Sequence, residues 1–156
     1  AMACKYRNNG QGCISPRRFY IQESKKDEFA KSFVEKTKKL KVVNGLDEWV
    51  QCGPYTSKNR LEEIEQLGDD TNKEGSIVLC GGKRPAGFNK GYFYEPTIFD
   101  NVKDNFKIMT VEPFGPLTPL LTFKNFDEVI ERANNQVAGL STYVCTNSLE
   151  LANKTS

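Results

Sequence analysis

The stretch Arg17-Arg18-Phe19-Tyr20-Ile21-Gln22 follows Pro16 and combines aromatic with β-branched residues, which is typical of a β-strand. It ends shortly before Ser24, whose side chain is a candidate helix N-cap. From about Lys25 to Leu40 the apolar residues recur at spacings close to those of a helix turn, which predicts an amphipathic helix. A strand followed directly by a helix is the repeating unit of an α/β fold.

The rest of the chain continues this alternation of strands and helices. Val42–Gly53 contains strong turn signals and is predicted to be a connector with little regular structure. The other predicted elements are a helix from near Thr56 to no further than Gly75 with a break considered at Gly68-Asp69-Asp70, a strand buried on both faces at Ile77–Cys80, an extended segment at Thr97–Phe99, a strand at Thr118–Phe123, a helix capped by Asn125 and reaching about Asn134, a strand at Leu140–Cys145, and a helix beginning at Asn147 or Ser148. The sequence therefore predicts an α/β fold, a mostly parallel sheet with flanking helices, in one domain.

The composition excludes several classes of protein. The 156 residues are 38% hydrophobic and 27% charged with a formal net charge of +2, which gives no reason to expect a nucleic-acid partner. A lysine cluster is open to two interpretations, a solvated helix face and a polyanion site, and its helical setting favours the first: Lys36, Lys38, Lys39 and Lys41. No apolar run reaches the ~18 residues of a membrane span, so we expect a soluble, cytoplasmic protein without a membrane partner.

The cysteine and histidine content narrows the chemistry. The five cysteines are irregularly spaced and match neither a disulfide framework nor a zinc site, so we expect reduced thiols and no metal. Histidine is absent from the sequence, which removes the usual general base and the Cys-His pair of a cysteine protease.

One loop is a candidate catalytic site. The run Lys5-Tyr6-Arg7-Asn8-Asn9-Gly10-Gln11-Gly12-Cys13-Ile14-Ser15-Pro16 places two glycines and a cysteine directly before the first predicted strand. Loops carried on a rigid sheet often hold catalytic groups. A free cysteine is more often a small buried hydrophobe than a nucleophile, so Cys13 alone has an inert interpretation beside the catalytic one.

The residues around Cys13 match a known pattern. They resemble the active-site signature of the aldehyde dehydrogenase superfamily, in which an Asn, a variable residue, Gly-Gln, another variable residue and the catalytic Cys precede a strand. The matching positions are Asn8, Gly10, Gln11 and Cys13. Further along, Glu112-Pro113-Phe114-Gly115-Pro116 is similar to the family's Glu-x-Phe-Gly-Pro, and Glu95-Pro96-Thr97 resembles the stretch that precedes it.

The resemblance covers essentially the whole chain and implies the catalytic domain of an aldehyde dehydrogenase fold, closest to the succinate-semialdehyde dehydrogenases. It implies that Cys13 is the nucleophile, that its thiohemiacetal loses hydride to NAD or NADP, and that water hydrolyses the resulting thioester. The backbone N–H of Cys13 would supply one oxyanion donor.

The resemblance also assigns roles to three other residues. Glu112 would bind the hydroxyls of the nicotinamide ribose, and Phe114 would pack beside the nicotinamide end of the cofactor. A solvated carboxylate before a turn is the other interpretation of Glu112. An Arg at the position of Arg7 binds the distal carboxylate of succinate semialdehyde in that subfamily, and pairing with a structural acid is the alternative.

Several parts that the resemblance implies are not in this sequence: the Gly-rich nucleotide-binding domain, the general-base Glu, an oxyanion Asn and the oligomerisation segment. We therefore expect residues 1–156 to be a partial catalytic domain, inactive alone, of a homo-oligomeric enzyme that acts on a small-molecule aldehyde. Three other hypotheses stay open: a dehydrogenase for another aldehyde such as 2-ketoglutaric semialdehyde, a reactive-thiol protein without a nicotinamide cofactor, and an α/β binding domain with inert cysteines.

Overall fold

Helices and strands alternate along the part of the chain that the structure describes. The computed structural model describes residues 1–48, 50–88, 90–137 and 139–155. The elements in chain order are α1 (Met2–Tyr6), β1 (Phe19–Gln22), α2 (Lys26–Thr37), α3 (Lys58–Lys73), β2 (Ile77–Cys80), β3 (Thr97–Asp100), α4 (Lys107–Thr110), β4 (Leu117–Phe123), α5 (Phe126–Asn134) and α6 (Leu149–Thr155). Short 3-10 turns at Arg7–Gly10 and Glu23–Lys25 follow α1 and β1. None of the described helices has the length and apolar character to cross a bilayer.

The strands form a sheet in the order β1-β4-β3-β2. β4 pairs in parallel with β1, where Phe19 lies opposite Leu120, and with β3, where Ile98 lies opposite Thr118. β2 pairs with β3 in the antiparallel direction at the edge. These pairings confirm the predicted α/β fold with a mostly parallel sheet.

Helices cover both faces of the sheet and enclose two hydrophobic cores. Successive side chains of a strand point to opposite faces, and along β4 Leu117 and Leu121 enter one core while Leu120 enters the other. The first core includes Leu61 from the apolar side of α3, and the second includes Phe33 from α2. Each such buried side chain stabilises the fold by about 1.5–3 kcal/mol.

The helix starts agree with the predictions in one case and not in another. The Asn125 side chain accepts a hydrogen bond from the Glu128 N–H at 3.0 Å and caps α5, as predicted. The prediction that Ser24 caps α2 is wrong, because Ser24 lies inside the preceding 3-10 turn. The residue at the N-cap position of α2 is Lys25, and its side chain makes no capping hydrogen bond.

α3 continues without a break through the position where an interruption was considered. The Ser57 hydroxyl accepts from the Arg60 N–H at 3.3 Å and caps the helix. A Cβ atom on Gly68 would lie 2.9 Å from the Tyr94 hydroxyl. Glycine at this position therefore serves close packing inside the helix and does not end it.

β2 forms at the predicted residues but is not buried on both faces. Ile77 is 55% exposed and Val78 is 38% exposed. An edge strand has a neighbour on one side only, and a short apolar run looks the same in sequence whether the strand is central or at an edge. The prediction of burial is therefore wrong.

The four lysines of the cluster are exposed, which agrees with both interpretations. Lys36 lies in the last turn of α2, whereas Lys38, Lys39 and Lys41 follow the helix end at Thr37. The helix is therefore shorter than predicted.

The strand predicted at Leu140–Cys145 is not present. Residues 139–148 form neither a helix nor a strand. Leu140, Tyr143 and Val144 are 68%, 47% and 49% exposed. An apolar run becomes a strand only when a neighbouring strand pairs with it, and no described strand lies beside this one. The helix predicted next forms, and the Ser148 hydroxyl accepts from the Leu151 N–H at its start.

Candidate active site

Cys13 lies at the corner of a tight turn that precedes β1. The Ser15 N–H donates to the Gly12 carbonyl at 3.0 Å, which closes the turn with Cys13 and Ile14 at its two central positions. The Ser15 hydroxyl donates to the Lys5 carbonyl at 3.0 Å and anchors the turn on α1. Cys13 is a free and exposed thiol, so its sulfur is accessible to an electrophile.

Three consecutive residues in left-handed conformation lead from α1 toward Cys13. Their φ angles are 51° at Asn8, 55° at Asn9 and 74° at Gly10, and Asn and Gly tolerate this region best. Asn8 Nδ2 donates to the Gln11 carbonyl at 3.0 Å, and the Gln11 N–H donates to the Asn8 carbonyl at 3.0 Å. The fixed Asn and Gln of the signature therefore hold each other and shape the approach to the thiol.

The same segment is tied to the turn at Gly53 and Pro54. Asn9 Nδ2 donates to the Gly53 carbonyl at 3.1 Å, and Gln11 Nε2 donates to the Pro54 carbonyl at 3.4 Å. These bonds fix the left-handed turn to the connector that precedes α3.

The two signatures are in direct contact in the fold. We call residues 8–13 the first signature segment and residues 112–116 the second signature segment. A Cβ atom on Gly10 would lie 2.4 Å from the Gly115 carbonyl oxygen, so only glycine permits this approach. Lys5 Nζ donates to the same carbonyl oxygen at 3.0 Å. The fold thus brings together two stretches that are far apart in the sequence.

Glu112 and Phe114 lie on the exposed side of the second signature segment. Glu112 is exposed and makes no hydrogen bond or ion pair with the residues that the structure describes. Phe114 has a φ of 45° and is 36% exposed, so its ring is open to a ligand. Between them, the Pro113 carbonyl accepts a hydrogen bond from Arg60 Nη2 at 3.1 Å.

A groove of about 480 Å³ runs along α3 beside Glu112. Its walls combine charged and apolar side chains, among them Arg60, Ile64, Leu67 and Val111. The second signature segment therefore presents a carboxylate without a partner, an exposed aromatic ring nearby in sequence and an adjoining groove.

Arg7 is exposed at the start of the 3-10 turn that follows α1. Its side chain forms no hydrogen bond or ion pair with any residue in the described ranges, so the structural acid of the alternative interpretation is not found there. Its guanidinium is open to an anionic ligand. Arg7, Cys13 and Glu112 make no hydrogen bond with one another.

Lys5 is a residue of this region that sequence analysis missed. A lysine on a short helix is ordinarily solvated, but Lys5 is only 1% exposed, and burial lowers its pKa to about 7. No acid in the described part of the chain pairs with it, and its amine donates to the Gly115 carbonyl. In the sequence, only its position just before the first signature segment indicated that Lys5 lies near the candidate site.

Tyr143 was also missed. Its hydroxyl donates to the Ile14 carbonyl at 2.9 Å, directly beside Cys13 and across 129 positions of the chain. It lies in the exposed segment where a strand was predicted. A long-range contact of this kind leaves no pattern among neighbouring residues.

Comparison with known proteins agrees with these features. The chain matches the model of the aldehyde dehydrogenase family over residues 1–156. It is 38% identical over 156 residues to 3,6-anhydro-alpha-L-galactose dehydrogenase of Vibrio sp. (strain EJY3), covering 99% of this chain and 32% of that protein. It is 36% identical over 150 residues to mitochondrial succinate-semialdehyde dehydrogenase of Oryza sativa subsp. japonica, covering 96% of this chain and 28% of that protein.

The fold leads to the same relatives. The structure of 3,6-anhydro-L-galactose dehydrogenase in complex with NAP matches with a TM-score of 0.95 at 36% identity, over 98% of this chain and 32% of that one. The chain spans about a third of the length of these three proteins. With a match over its whole length, and with both signatures joined in one fold, the chain belongs to the aldehyde dehydrogenase family.

Proposed function

We propose that this chain is the nucleophile-bearing part of an NAD- or NADP-dependent enzyme that oxidises an aldehyde to a carboxylic acid. One observation carries the proposal: the contact between the two signature segments, where a Gly10 Cβ would come within 2.4 Å of the Gly115 carbonyl oxygen. This contact joins the segment that ends in a free thiol to the segment that presents Glu112 and Phe114.

Cys13 is the proposed nucleophile. Its thiolate attacks the aldehyde carbon to form a thiohemiacetal, whose carbon then loses a hydride and becomes a thioester. Water cleaves the thioester, which releases the carboxylic acid and restores the thiol. A thiol suits both halves of this reaction, because sulfur is a good nucleophile toward the carbonyl and a good leaving group from the thioester.

The backbone of Cys13 is the proposed oxyanion donor. Its N–H has no acceptor among the described residues, and it lies at the corner of a turn that is closed by the bond from Ser15 to Gly12. A donor held in this way stabilises the negative oxygen of the thiohemiacetal without having to reorganise, which is worth on the order of 3 kcal/mol in comparable sites.

Glu112 and Phe114 are proposed to hold the nicotinamide end of the cofactor. When bound, the nicotinamide ring supplies the acceptor for the hydride. The unpaired carboxylate of Glu112 can accept hydrogen bonds from ribose hydroxyls, and the exposed ring of Phe114 offers an apolar face to a flat heterocycle.

Succinate semialdehyde is the proposed substrate. The exposed guanidinium of Arg7 is not engaged by any described acid, and it can hold a distal carboxylate through two parallel hydrogen bonds. The rice relative, named succinate-semialdehyde dehydrogenase, supports this choice.

A second candidate keeps the reaction and changes the aldehyde. The relative from Vibrio is named for 3,6-anhydro-alpha-L-galactose, and its identity of 38% is as high as that of the rice enzyme at 36%. A different acidic aldehyde, such as 2-ketoglutaric semialdehyde, would also satisfy Arg7. Kinetic constants for these aldehydes separate the candidates.

The chain by itself is proposed to be inactive. It spans about a third of the length of the Vibrio relative, and the general-base Glu and the nucleotide-binding domain that the resemblance implies are not in this sequence. The purified chain, incubated with succinate semialdehyde and NAD or NADP, should give no rise in the absorbance of reduced cofactor. Clear turnover by the chain would contradict this part of the proposal.

The complete protein tests the function directly. Succinate semialdehyde and NAD or NADP should give reduced cofactor and succinate, and Cys13→Ala should lower turnover by at least about a thousandfold. Cys145→Ala is the matched control, because Cys145 is also free and exposed but lies outside both signature segments. Retained turnover in Cys13→Ala would refute the proposed mechanism.

A further inference from the structure

Lys5 contacts both halves of the candidate site. Its backbone carbonyl accepts the 3.0 Å hydrogen bond from the Ser15 hydroxyl that anchors the Cys13 turn. Its side-chain amine donates a 3.0 Å hydrogen bond to the Gly115 carbonyl in the second signature segment. One residue therefore joins the nucleophile turn to the segment that presents Glu112 and Phe114.

The surroundings of Lys5 make it a costly choice for the fold alone. Its side chain is 1% exposed and has no acidic partner in the described ranges. A buried amine with a single acceptor is poorly compensated for the water it loses, and the fall of its pKa to about 7 reflects this desolvation. An apolar side chain of similar length would fill the same space without this penalty but could not bond the Gly115 carbonyl.

The carbonyl that accepts from Lys5 belongs to Gly115, in a tightly packed part of the second signature segment. The Gly115 carbonyl follows Phe114, which has a φ of 45°, a conformation unfavourable for a residue with a side chain. Gly115 is also packed against the Tyr55 hydroxyl, where an added Cβ would come within 2.2 Å. The hydrogen bond from Lys5 holds the Gly115–Pro116 peptide, which follows the left-handed Phe114, in one orientation.

We propose that Lys5 is a positioning residue that fixes the second signature segment relative to the Cys13 turn. It acts through the Gly115 carbonyl, and it touches neither substrate nor cofactor. The proposal rests on the proposed function, because the spacing that Lys5 sets is the spacing between the nucleophile and the cofactor-binding residues.

Two Gly-Pro pairs in the sequence allow a direct test. They are Gly53-Pro54 and Gly115-Pro116. A chain labelled with carbonyl ¹³C in glycine and ¹⁵N in proline therefore gives two carbonyl-to-nitrogen correlations in an NMR spectrum. In Lys5→Met, which keeps an unbranched side chain as far as the ε position and removes the amine, we expect the Gly115 signal to shift and the Gly53 signal to stay in place. An unmoved Gly115 signal would overturn the proposal.

Asn9→Gly is the matched control. The Asn9 side chain donates to the Gly53 carbonyl at 3.1 Å, and glycine keeps the left-handed backbone at this position. This variant should move the Gly53 signal more than the Gly115 signal, the reverse of the order expected for Lys5→Met, because the Asn9 side chain bonds the Gly53 carbonyl.

A measurement on the unmodified chain does not depend on the folding of a variant. A nuclear Overhauser effect between the ε protons of Lys5 and the α protons of Gly115 is expected from the buried contact. Its absence in a folded chain would overturn the proposal.

Kinetics of the complete enzyme test the positioning role. In Lys5→Met the KM for the nicotinamide cofactor should rise and kcat should fall, together on the order of tenfold or more, because small misplacements of reacting groups are costly. The KM for the aldehyde should stay within about twofold, a split that a mere loss of folded protein would not produce.

The outcomes separate the two proposals. An active enzyme whose constants do not change in Lys5→Met would overturn the role of Lys5 and leave the proposed function intact. A complete protein without dehydrogenase activity would overturn the proposed function, whatever the NMR signals show.

Discussion

The Gly10 backbone packs so closely on the Gly115 carbonyl that a Cβ atom at Gly10 would lie 2.4 Å from its oxygen. Gly10 also has a φ of 74°, so alanine there meets both a steric clash and an unfavourable backbone conformation. We expect Gly10→Ala to lower the free energy of unfolding of the chain by about 2 kcal/mol or more, measured by urea denaturation.

Gly12→Ala is the control for this measurement. A Cβ atom at Gly12 would meet nothing within 4 Å, and its φ lies outside the left-handed region. Its free energy of unfolding should stay within about 1 kcal/mol of the unchanged chain. Equal effects of the two substitutions would show that the contact between the signature segments does not form.

The cysteines should differ in reactivity according to their burial. Cys13, Cys4 and Cys145 are exposed, whereas Cys52 has no exposed surface and Cys80 is partly covered. Burial also raises the pKa of Cys52 to about 11, which lowers the thiolate population at neutral pH. Brief iodoacetamide treatment followed by mass spectrometry should find the exposed three modified well before Cys52 and Cys80.

The same experiment in denaturant is the control, because unfolding removes the protection and should bring all five cysteines to similar rates. Native labelling of Cys52 as fast as Cys13 would contradict the packing around α2. From sequence alone Cys145 would be expected to label slowly, since it was placed in a strand, and its exposure reverses that expectation.

The features that could be predicted from the sequence are the ones encoded by neighbouring residues. The apolar spacing of α3 and the cap at Asn125 each depend on a few adjacent positions, and both are confirmed. The two glycines before Cys13 indicated a loop, and the structure shows left-handed backbone at Asn8 and Gly10 within it.

The features that could not be predicted depend on distant parts of the chain. The exposure of Ile77 and the failure of Leu140–Cys145 to form a strand follow from which strands lie beside them, and an apolar run carries no such information. The burial of Lys5 and the bond from Tyr143 to Ile14 are likewise tertiary contacts. The resemblance proposed a role for Cys13 but gave no role to Lys5 or Tyr143, whose contacts with its turn are long-range.

Lys5 should make the stability of the chain depend on pH. In the unfolded chain a lysine keeps its proton up to about 10.5, whereas burial lowers the pKa of Lys5 to about 7 in the fold. Between these values the unfolded chain binds more protons, so the free energy of unfolding rises with pH. From pH 7.5 to 8.5 we expect a gain of about 1 kcal/mol in urea denaturation.

Lys5→Met is the control for the pH dependence, because it removes the titrating amine, and its free energy of unfolding should lack this rise. Cys52 limits the pH range over which the free energy of unfolding is expected to rise. Its folded pKa of about 11 lies above the ordinary value of 9.0, so its contribution is present below pH 9 and is lost as the pH rises through 11. A rise of equal size in both chains would assign the effect to another group.

Arg7 should decide which aldehydes the complete enzyme accepts. A paired set of charge-assisted hydrogen bonds to a carboxylate is worth about 1.5–3 kcal/mol, so Arg7→Leu should raise the KM for succinate semialdehyde about tenfold to a hundredfold. The KM of Arg7→Lys should lie between those of the unchanged enzyme and of Arg7→Leu, because an ammonium keeps the positive charge but loses the planar fork of the guanidinium. Butanal is the matched control, since it has the same carbon chain without the carboxylate, and its KM should stay within about twofold. An unchanged KM for the acidic aldehyde would remove the carboxylate-binding role of Arg7 and favour a neutral aldehyde as the substrate.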